Sequence, residues 1–190
     1  MVRAALTCHP STPCESVGRI DARVRLAHDG ALFFTFAANG DASRLLLPDP
    51  RPAERVDGLW EHTCFEAFIR ARGAAYYELN WSPSSEWAVY RFDEYRRGMT
   101  VPDIARPPTI SLTHRAFGIE LNASISLSEI PELLATARLE MALAAVIEER
   151  DGRRSYWASA HPLPKPDFHH PGGFVLELAQ SLLARAGAAR

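Results

Sequence analysis

Carboxylate and amide side chains alternate with large apolar residues along three consecutive segments, CFEAFIR (64–70), YYELNW (76–81) and EWAVYRF (86–92). Alternate residues of a β-strand share one face of the sheet. If the apolar set faces a core, the opposite face collects Glu66, Glu78, Asn80, Trp87 and Arg91. Carboxylates and amides exchange hydrogen bonds with hydroxyl groups, and an indole packs on the apolar side of a sugar ring. This pattern predicts a binding face for a small polar ligand, with an ordinary solvated sheet face as the alternative.

Glu66 and Glu78 also raise the question of catalysis, because glycoside hydrolysis uses two carboxyl groups as acid and base or nucleophile. The separation of two side chains on different strands is not encoded in the sequence. A neighbouring arginine such as Arg91 is the more usual partner of a carboxylate on a sheet. We therefore assign no catalytic residue and expect a binding protein rather than an enzyme, with a small hydrolase as an alternative.

Three histidines, His161, His169 and His170, lie in a proline-rich segment that also contains Asp167. Histidine and carboxylate side chains can bind zinc or another divalent metal. Adjacent histidines in a loop rarely point at one ion, and the prolines indicate a rigid covering segment. We therefore predict a loop that caps the sheet, with His169 beside Phe168, and we assign no cofactor, leaving haem and a divalent metal open.

The three cysteines, Cys8, Cys14 and Cys64, are too few and too unevenly spaced for a disulfide framework. Cys64 lies within a predicted strand, where a small packed residue is the simplest interpretation. Cys8 and Cys14 fall in a segment that we interpret as a loose N-terminal extension.

Turn signals divide the chain into about nine predicted strands with short connections. Asp29-Gly30 and Asp151-Gly152 each separate two apolar runs, which is typical of a β-hairpin. The run LEMALAAVIEE (139–149) has helical propensity, but the Asp-Gly turn that follows favours a strand. A short helix is predicted from Ser128, and another at the end of the tail. The pattern predicts an all-β protein, an antiparallel β-sandwich of immunoglobulin-like architecture with one or two short helices.

Length and composition indicate one globular domain. The chain has 190 residues, of which 47% are hydrophobic and 23% charged, with a formal net charge of -2. We place an N-terminal extension at 1–17, the β-sandwich at 18–178 and a tail at 179–190. The near-neutral charge and the absence of a basic stripe argue against nucleic acid. No apolar run is long enough for a signal peptide or a membrane span, so we expect a cytoplasmic protein.

Five segments of the sequence resemble a known superfamily in their order and spacing. They are LWEHTCFEAFIR (59–70), YYELNW (76–81), EWAVYRF (86–92), FGIELNASISLSEI (117–130) and a late strand ending in Trp157. Together they resemble the DOMON-like superfamily of type 9 carbohydrate-binding modules, and within it the subgroup labelled MurB-like. The resemblance spans roughly residues 18–178.

The resemblance implies an antiparallel β-sandwich that binds sugar or haem, usually without catalysis. Sugar-binding members hold a saccharide between two tryptophans, and Trp60 and Trp157 are the nearest matches to that clamp. Haem-binding members use an axial methionine and a histidine, and this chain offers Met99 and Met141 without a clear match. We therefore expect a binding module for a carbohydrate or another small polar ligand. The predicted ligand-binding residues are Trp60, Glu66, Glu78, Asn80, Arg91 and Trp157. An interaction protein without a small ligand, as a homodimer through a sheet face or edge, is the alternative.

Overall fold

The regular structure of the computed structural model, which describes residues 1–180, consists of eleven β-strands and one short helix. The helix α1 (Pro131–Leu134) follows a 3-10 turn at Leu127–Glu129, where the sequence predicts a short helix. The strands in chain order are β1 (Val2–Cys8), β2 (Val17–Leu26), β3 (Ala31–Gly40), β4 (Cys64–Arg70), β5 (Tyr76–Trp81), β6 (Trp87–Phe92), β7 (Thr109–Arg115), β8 (Gly118–Ser126), β9 (Arg138–Glu148), β10 (Arg154–Ala158) and β11 (Leu176–Ala179).

All strand pairings of these elements are antiparallel, in the order β6-β5-β4-β9-β10-β1-β2-β3-β8-β7, with β11 beside the first part of β9. The sheet curls so that its front half (β6, β5, β4, β9 and β10) and its back half (β2, β3, β8 and β7) enclose one core. The strand β1 joins the halves, because it pairs with β2 along most of its length and with β10 at its end. The predicted all-β, sandwich-like fold is confirmed.

Aromatic side chains from both halves meet in the common core. Phe34 of β3 packs on Trp81 of β5 with ring centroids 4.6 Å apart, and Phe36 packs on Phe65 of β4 at 5.2 Å. All four side chains are fully buried. Because each pair joins the two halves, burial of these large rings stabilises the closed sandwich itself.

Both predicted Asp-Gly hairpins are present. Asp29-Gly30 connects β2 to β3 and Asp151-Gly152 connects β9 to β10, and both glycines have positive φ, 84° and 85°. The run with helical propensity is strand β9, because it is hydrogen-bonded along both edges, by β4 on one side and by β10 and β11 on the other. Tertiary pairing thus overrides local propensity here.

Two strands were missed by the sequence analysis, β1 and β11. Residues 2–8, which were placed in a loose extension, form the strand that bridges the two halves of the sheet, so this part of the predicted boundary is wrong. Leu6 is the only fully buried residue of β1, and Val2, Ala4 and Cys8 are partly buried against the core, so this strand gives a weak alternation signal. The helix predicted at the end of the tail falls on residues 181–190, outside the described range.

The front half of the sheet is covered on its outer face, the face turned away from the common core. A second apolar cluster lies there, built on Phe68, Tyr76, Tyr90 and Phe92. Phe168 and Phe174 pack against it from the loop 161–174, which crosses this face. The strands β4, β5 and β6 are therefore buried on both sides, and the predicted capping loop is confirmed.

Within residues 1–180, the structure contains no helix that is both long enough and apolar enough to cross a membrane.

Candidate functional site

A cavity of about 700 Å³ lies on the outer face of the front half, beneath the edge of the loop 161–174. Two carboxyl groups, those of Glu66 and Glu78, lie among its lining residues. Its volume lies in the range of small-molecule sites, which combine aromatic walls with a few polar groups. The aromatic side chains that line it are Trp60, Tyr90, Phe92, Tyr156, Phe168 and His169.

The register of β4 and β5 places the two carboxyl groups side by side. Glu66 is paired with Asn80, and Phe68 with Glu78, so the glutamates are diagonal neighbours on one face. Both are almost completely buried, with 2% and 5% of their surface exposed. The alternation seen in the sequence therefore assigns Glu66, Glu78 and Asn80 to a common face, and the structure brings these three together.

Glu66 is buried without a complete set of hydrogen bonds. Its Oε1 atom is inaccessible and has no hydrogen-bond partner within the described part of the chain. Burial raises the pKa of Glu66 well above its usual value, and the charge of Glu78 raises it further. An unpartnered buried carboxyl oxygen is costly to the folded state, and such groups are often found where a ligand completes the set.

Glu78 has partners of its own. The side-chain amide of Asn80 donates to its Oε1 at 2.8 Å, and His169 Nε2 lies 3.6 Å from its Oε2. Burial raises the pKa of Glu78 to about 7, although the hydrogen bond from Asn80 and the charge of Arg96 oppose this rise. Asn80 therefore acts by holding Glu78, because it is fully buried and does not line the cavity.

His169 connects the covering loop to the floor of the cavity. Its Nδ1 is hydrogen-bonded to the hydroxyl of Tyr76 at 2.8 Å, and its ring contacts Phe68 and Phe92 edge-on. Burial, followed by the charge of Arg96, lowers the pKa of His169 to about 4. Because Glu78 and His169 both favour their neutral forms between about pH 4 and 7, their contact is not an ion pair in this range.

Asp167 fixes the loop at the cavity rim. Its carboxylate accepts hydrogen bonds from the Tyr95 hydroxyl, from the Arg96 guanidinium at 2.8 Å and from the backbone N–H of His169 at 3.1 Å. Arg96 is thereby committed to an ion pair at the rim. At its other end the loop is tied to β1, because His161 Nε2 is 2.8 Å from the carbonyl oxygen of Thr7.

Trp60 is the most exposed aromatic residue of the cavity wall, with 42% of its surface accessible. It lies on a 3-10 turn, Leu59–Glu61, and its ring meets that of Tyr90 edge-on at 5.9 Å. The turn begins after Gly58, whose φ of 78° is readily adopted only by glycine. Trp60 also lines a second cavity of about 770 Å³.

Two of the predicted site residues lie elsewhere. Arg91 is paired with Tyr77 on the opposite face of β6, where its guanidinium contacts Asp93 and Glu132. Trp157 is only 4% exposed and packs in the common core, where its indole N–H donates to Ser155 at 3.0 Å. The cavity is instead lined by Tyr90 and Tyr156, the neighbours of these two residues.

The face of β6 was predicted wrongly because both of its faces are apolar. Trp87 and Val89 pack in the common core, whereas Tyr90 and Phe92 pack in the outer cluster. Polar and apolar residues therefore do not alternate along β6, and the polar residue Arg91 near its end does not identify the outer face. Once the outer face of the front half is known to be covered, aromatic residues on both sides of a strand are expected.

The other residues considered as metal ligands, haem ligands or nucleophiles have structural roles or lie apart from one another. His170 caps the turn at Pro171–Gly173, and Cys64 is a fully buried residue whose pKa is raised by burial. Met141 is buried in the common core, while Met99 lies at the cavity rim. Among residues 1–180, no group of three or more His, Cys, Asp or Glu side chains is arranged to hold a metal ion.

Sequence comparison gives no assignment: the chain matches no family model and no curated protein sequence. Structural comparison does find relatives. A candidate carbohydrate-binding protein from Bacteroides uniformis superposes with a TM-score of 0.66 at 14% identity, covering 94% of this chain and 86% of that one. A carbohydrate binding module of family 9 from Caldicellulosiruptor kristjanssonii, solved with cellotriose, gives a TM-score of 0.54 at 13% identity, covering 93% and 82%.

A carbohydrate binding module of family 9 from Caldicellulosiruptor kristjanssonii, solved with glucose, superposes with a TM-score of 0.52 at 13% identity, covering 93% of this chain and 83% of that one. In all three cases the match extends over nearly the whole chain, including both halves of the sheet. At these identities the likeness concerns the fold. The chain therefore has the fold of solved carbohydrate-binding modules.

Proposed function

We propose that this protein binds a carbohydrate or another small polyhydroxylated ligand in the cavity on the outer face. The observation that carries the proposal is the pair of buried carboxyl groups, those of Glu66 and Glu78, among the lining residues of an aromatic-walled cavity. Ligand hydroxyl groups can exchange hydrogen bonds with these carboxyl groups, and the exposed ring of Trp60 can pack on the apolar side of a sugar. The structural relatives solved with cellotriose and glucose support this choice of ligand class.

In this proposal the floor and the wall have separate tasks. Glu66 and Glu78 bind hydroxyl groups, and Asn80 holds Glu78 in position through its 2.8 Å hydrogen bond. Trp60, Tyr90 and Tyr156 supply apolar contact area around the ligand. We further propose that the protein belongs to the DOMON-like superfamily and its MurB-like subgroup, and that it binds its ligand without catalysis.

The two tryptophans named by the sequence analysis provide a matched test. Trp60→Ala should weaken the binding of a sugar ligand by about tenfold or more, because a central aromatic contact is lost. Trp157→Phe should leave affinity within about twofold, yet lower the free energy of unfolding by about 1 kcal/mol, because a buried indole and its hydrogen bond are removed. Affinity is measured by titration calorimetry with mono- and disaccharides, and stability by urea denaturation.

Equal loss of affinity in the two variants would contradict this location of the site, since only Trp60 lies at the cavity. Absence of heat for every saccharide at millimolar concentration would contradict the proposed function. An interaction protein would then be the better interpretation, and Trp60→Ala would be expected to change self-association instead.

A further inference from the structure

The floor of the cavity carries two acids and no paired base within residues 1–180. Among residues 1–180, His169 is the only basic side chain within salt-bridge distance of either glutamate, and it favours its neutral form. Arg96 is paired with Asp167 at 2.8 Å, and the Arg154 guanidinium donates to the carbonyl oxygen of Glu61 at 3.0 Å. The two arginines that line the cavity therefore have hydrogen-bond partners other than Glu66 and Glu78.

This arrangement is unusual for a site that binds only neutral hydroxyl groups. Two carboxyl groups that are neighbours in a buried position repel each other when both are ionised. Such a pair either keeps a proton, as the raised pKa values of Glu66 and Glu78 indicate, or takes a positive charge from an arginine, a lysine, a metal or a ligand. Asn80 donates an amide hydrogen bond to Glu78, and the charge of Arg96 acts on Glu78 only from a distance, because its guanidinium is paired with Asp167. In the part of the chain that the structure describes, no guanidinium or ammonium group lies within salt-bridge distance of Glu66 or Glu78. A cationic group of the ligand would supply the direct ion pair that these two carboxyl groups lack.

We propose that the natural ligand carries a protonated amine that lies over Glu66 and Glu78, as in an amino sugar. This inference rests on the proposed function, since it concerns the same cavity and names the ligand class. A primary ammonium group has three N–H donors, enough to reach the carboxyl groups of both Glu66 and Glu78, which line the cavity. Its charge also favours the ionised forms of both carboxyl groups, which burial alone disfavours.

The aromatic wall supports the same choice. A cation is attracted to the faces of tryptophan and tyrosine rings, and Trp60, Tyr90 and Tyr156 line the cavity around the two acids. Charge-assisted hydrogen bonds are about twice as strong as neutral ones, so an ammonium group gains more from this floor than a hydroxyl does. The sugar ring retains its role, because a cavity of about 700 Å³ is much larger than an ammonium group.

Glucosamine, glucose and N-acetylglucosamine provide the test, because they share a ring and differ at one substituent. Titration calorimetry with the full chain should show that glucosamine binds at least about tenfold more tightly than either neutral sugar. Glu66→Gln should remove this preference by weakening glucosamine about tenfold while changing glucose less than about threefold. Glu78→Gln is the second variant, and a far-ultraviolet circular dichroism spectrum checks the fold of both.

Cyclohexylamine carries an amine on a six-membered ring without hydroxyl groups, so it tests the contribution of the amine alone. It should bind more weakly than glucosamine. If glucose or N-acetylglucosamine binds as tightly as glucosamine, the inferred charge is wrong and the proposed sugar site stands. If cyclohexylamine equals glucosamine, the amino-sugar assignment is overturned, because the hydroxyl groups contribute nothing. If no saccharide and no amine binds, the proposed function fails together with this inference.

Discussion

Glu66→Gln is expected to make the protein more stable at about pH 8, by an amount that grows as the pH rises above about 4.5. In the folded state burial raises the pKa of Glu66 well above its usual value, so folding retains a proton that the unfolded chain releases. The free energy of unfolding therefore falls as the pH rises above about 4.5, the usual value for this group. Glutamine has nearly the same shape and no such proton, so the variant escapes this loss.

Urea denaturation of the wild type and of Glu66→Gln, at intervals between about pH 4 and 8, measures the effect. The difference between the two proteins should grow with pH. Glu94→Gln is the matched control, because Glu94 is exposed on a turn beside the same sheet and should change stability by less than about 0.5 kcal/mol. A Glu66→Gln variant that is less stable than the wild type at high pH would mean that the Glu66 carboxylate is stabilised within the fold.

The expected gain in stability of Glu66→Gln also bears on the function of Glu66. A carboxyl group retained in a buried position at a cost in stability is typical of a residue kept for binding. Glu66→Gln should therefore be more stable and bind its ligand less well. The two effects have one cause, which is the buried carboxyl group of Glu66 at the cavity.

Glu78 and His169 are expected to make opposite contributions to the pH dependence of stability. The pKa of Glu78 is raised to about 7 from 4.5, so its contribution to stability falls as the pH rises between these values. The pKa of His169 is lowered to about 4 from 6.5, so its contribution rises with pH between about 4 and 6.5. Each effect is worth about 3 kcal/mol, and the two nearly cancel over the shared range.

Double variants should separate the two contributions. In a Glu66→Gln background, which removes the third titrating group, His169→Gln should leave a protein whose stability falls by about 3 kcal/mol from pH 4.5 to 7. Glu78→Gln in the same background should leave one whose stability rises by a similar amount from pH 4 to 6.5. The measurement is urea denaturation at each pH. Slopes of the same sign in the two variants would contradict the assignment of neutral forms to this pair.

The sequence contains enough information to predict the fold class, because alternation and turn chemistry act locally. The Asp-Gly turns set two hairpins, and the alternation along β4 and β5 places Glu66, Glu78 and Asn80 on one face. The strand β1 was not recognised, because Leu6 is its only buried residue and because its partners, β2 and β10, are set by the closure of the whole sheet.

The aromatic wall of the site could not be predicted in the same way. Its members come from separate parts of the chain, with Trp60 on a turn, Tyr156 on β10 and Phe168 in the covering loop. No local pattern places these residues together, because their contacts depend on how the loop crosses the sheet. The same covering loop makes both faces of β6 apolar, and this is why Arg91 was expected at a face that it does not share with Glu66. Trp157 was expected at the site from the family resemblance, and it lies instead in the common core.

Nuclear magnetic resonance mapping of ligand contacts tests the location of the site most directly. In the isotopically labelled protein, saturating glucosamine or glucose should shift the amide signals of β4 and β5, those of residues 166–169 and the indole signal of Trp60. The amides of β2, β3, β7 and β8, in the back half of the sheet, should stay unchanged. Shifts confined to the back half, or no shifts with any saccharide, would contradict a binding site on the outer face of the front half.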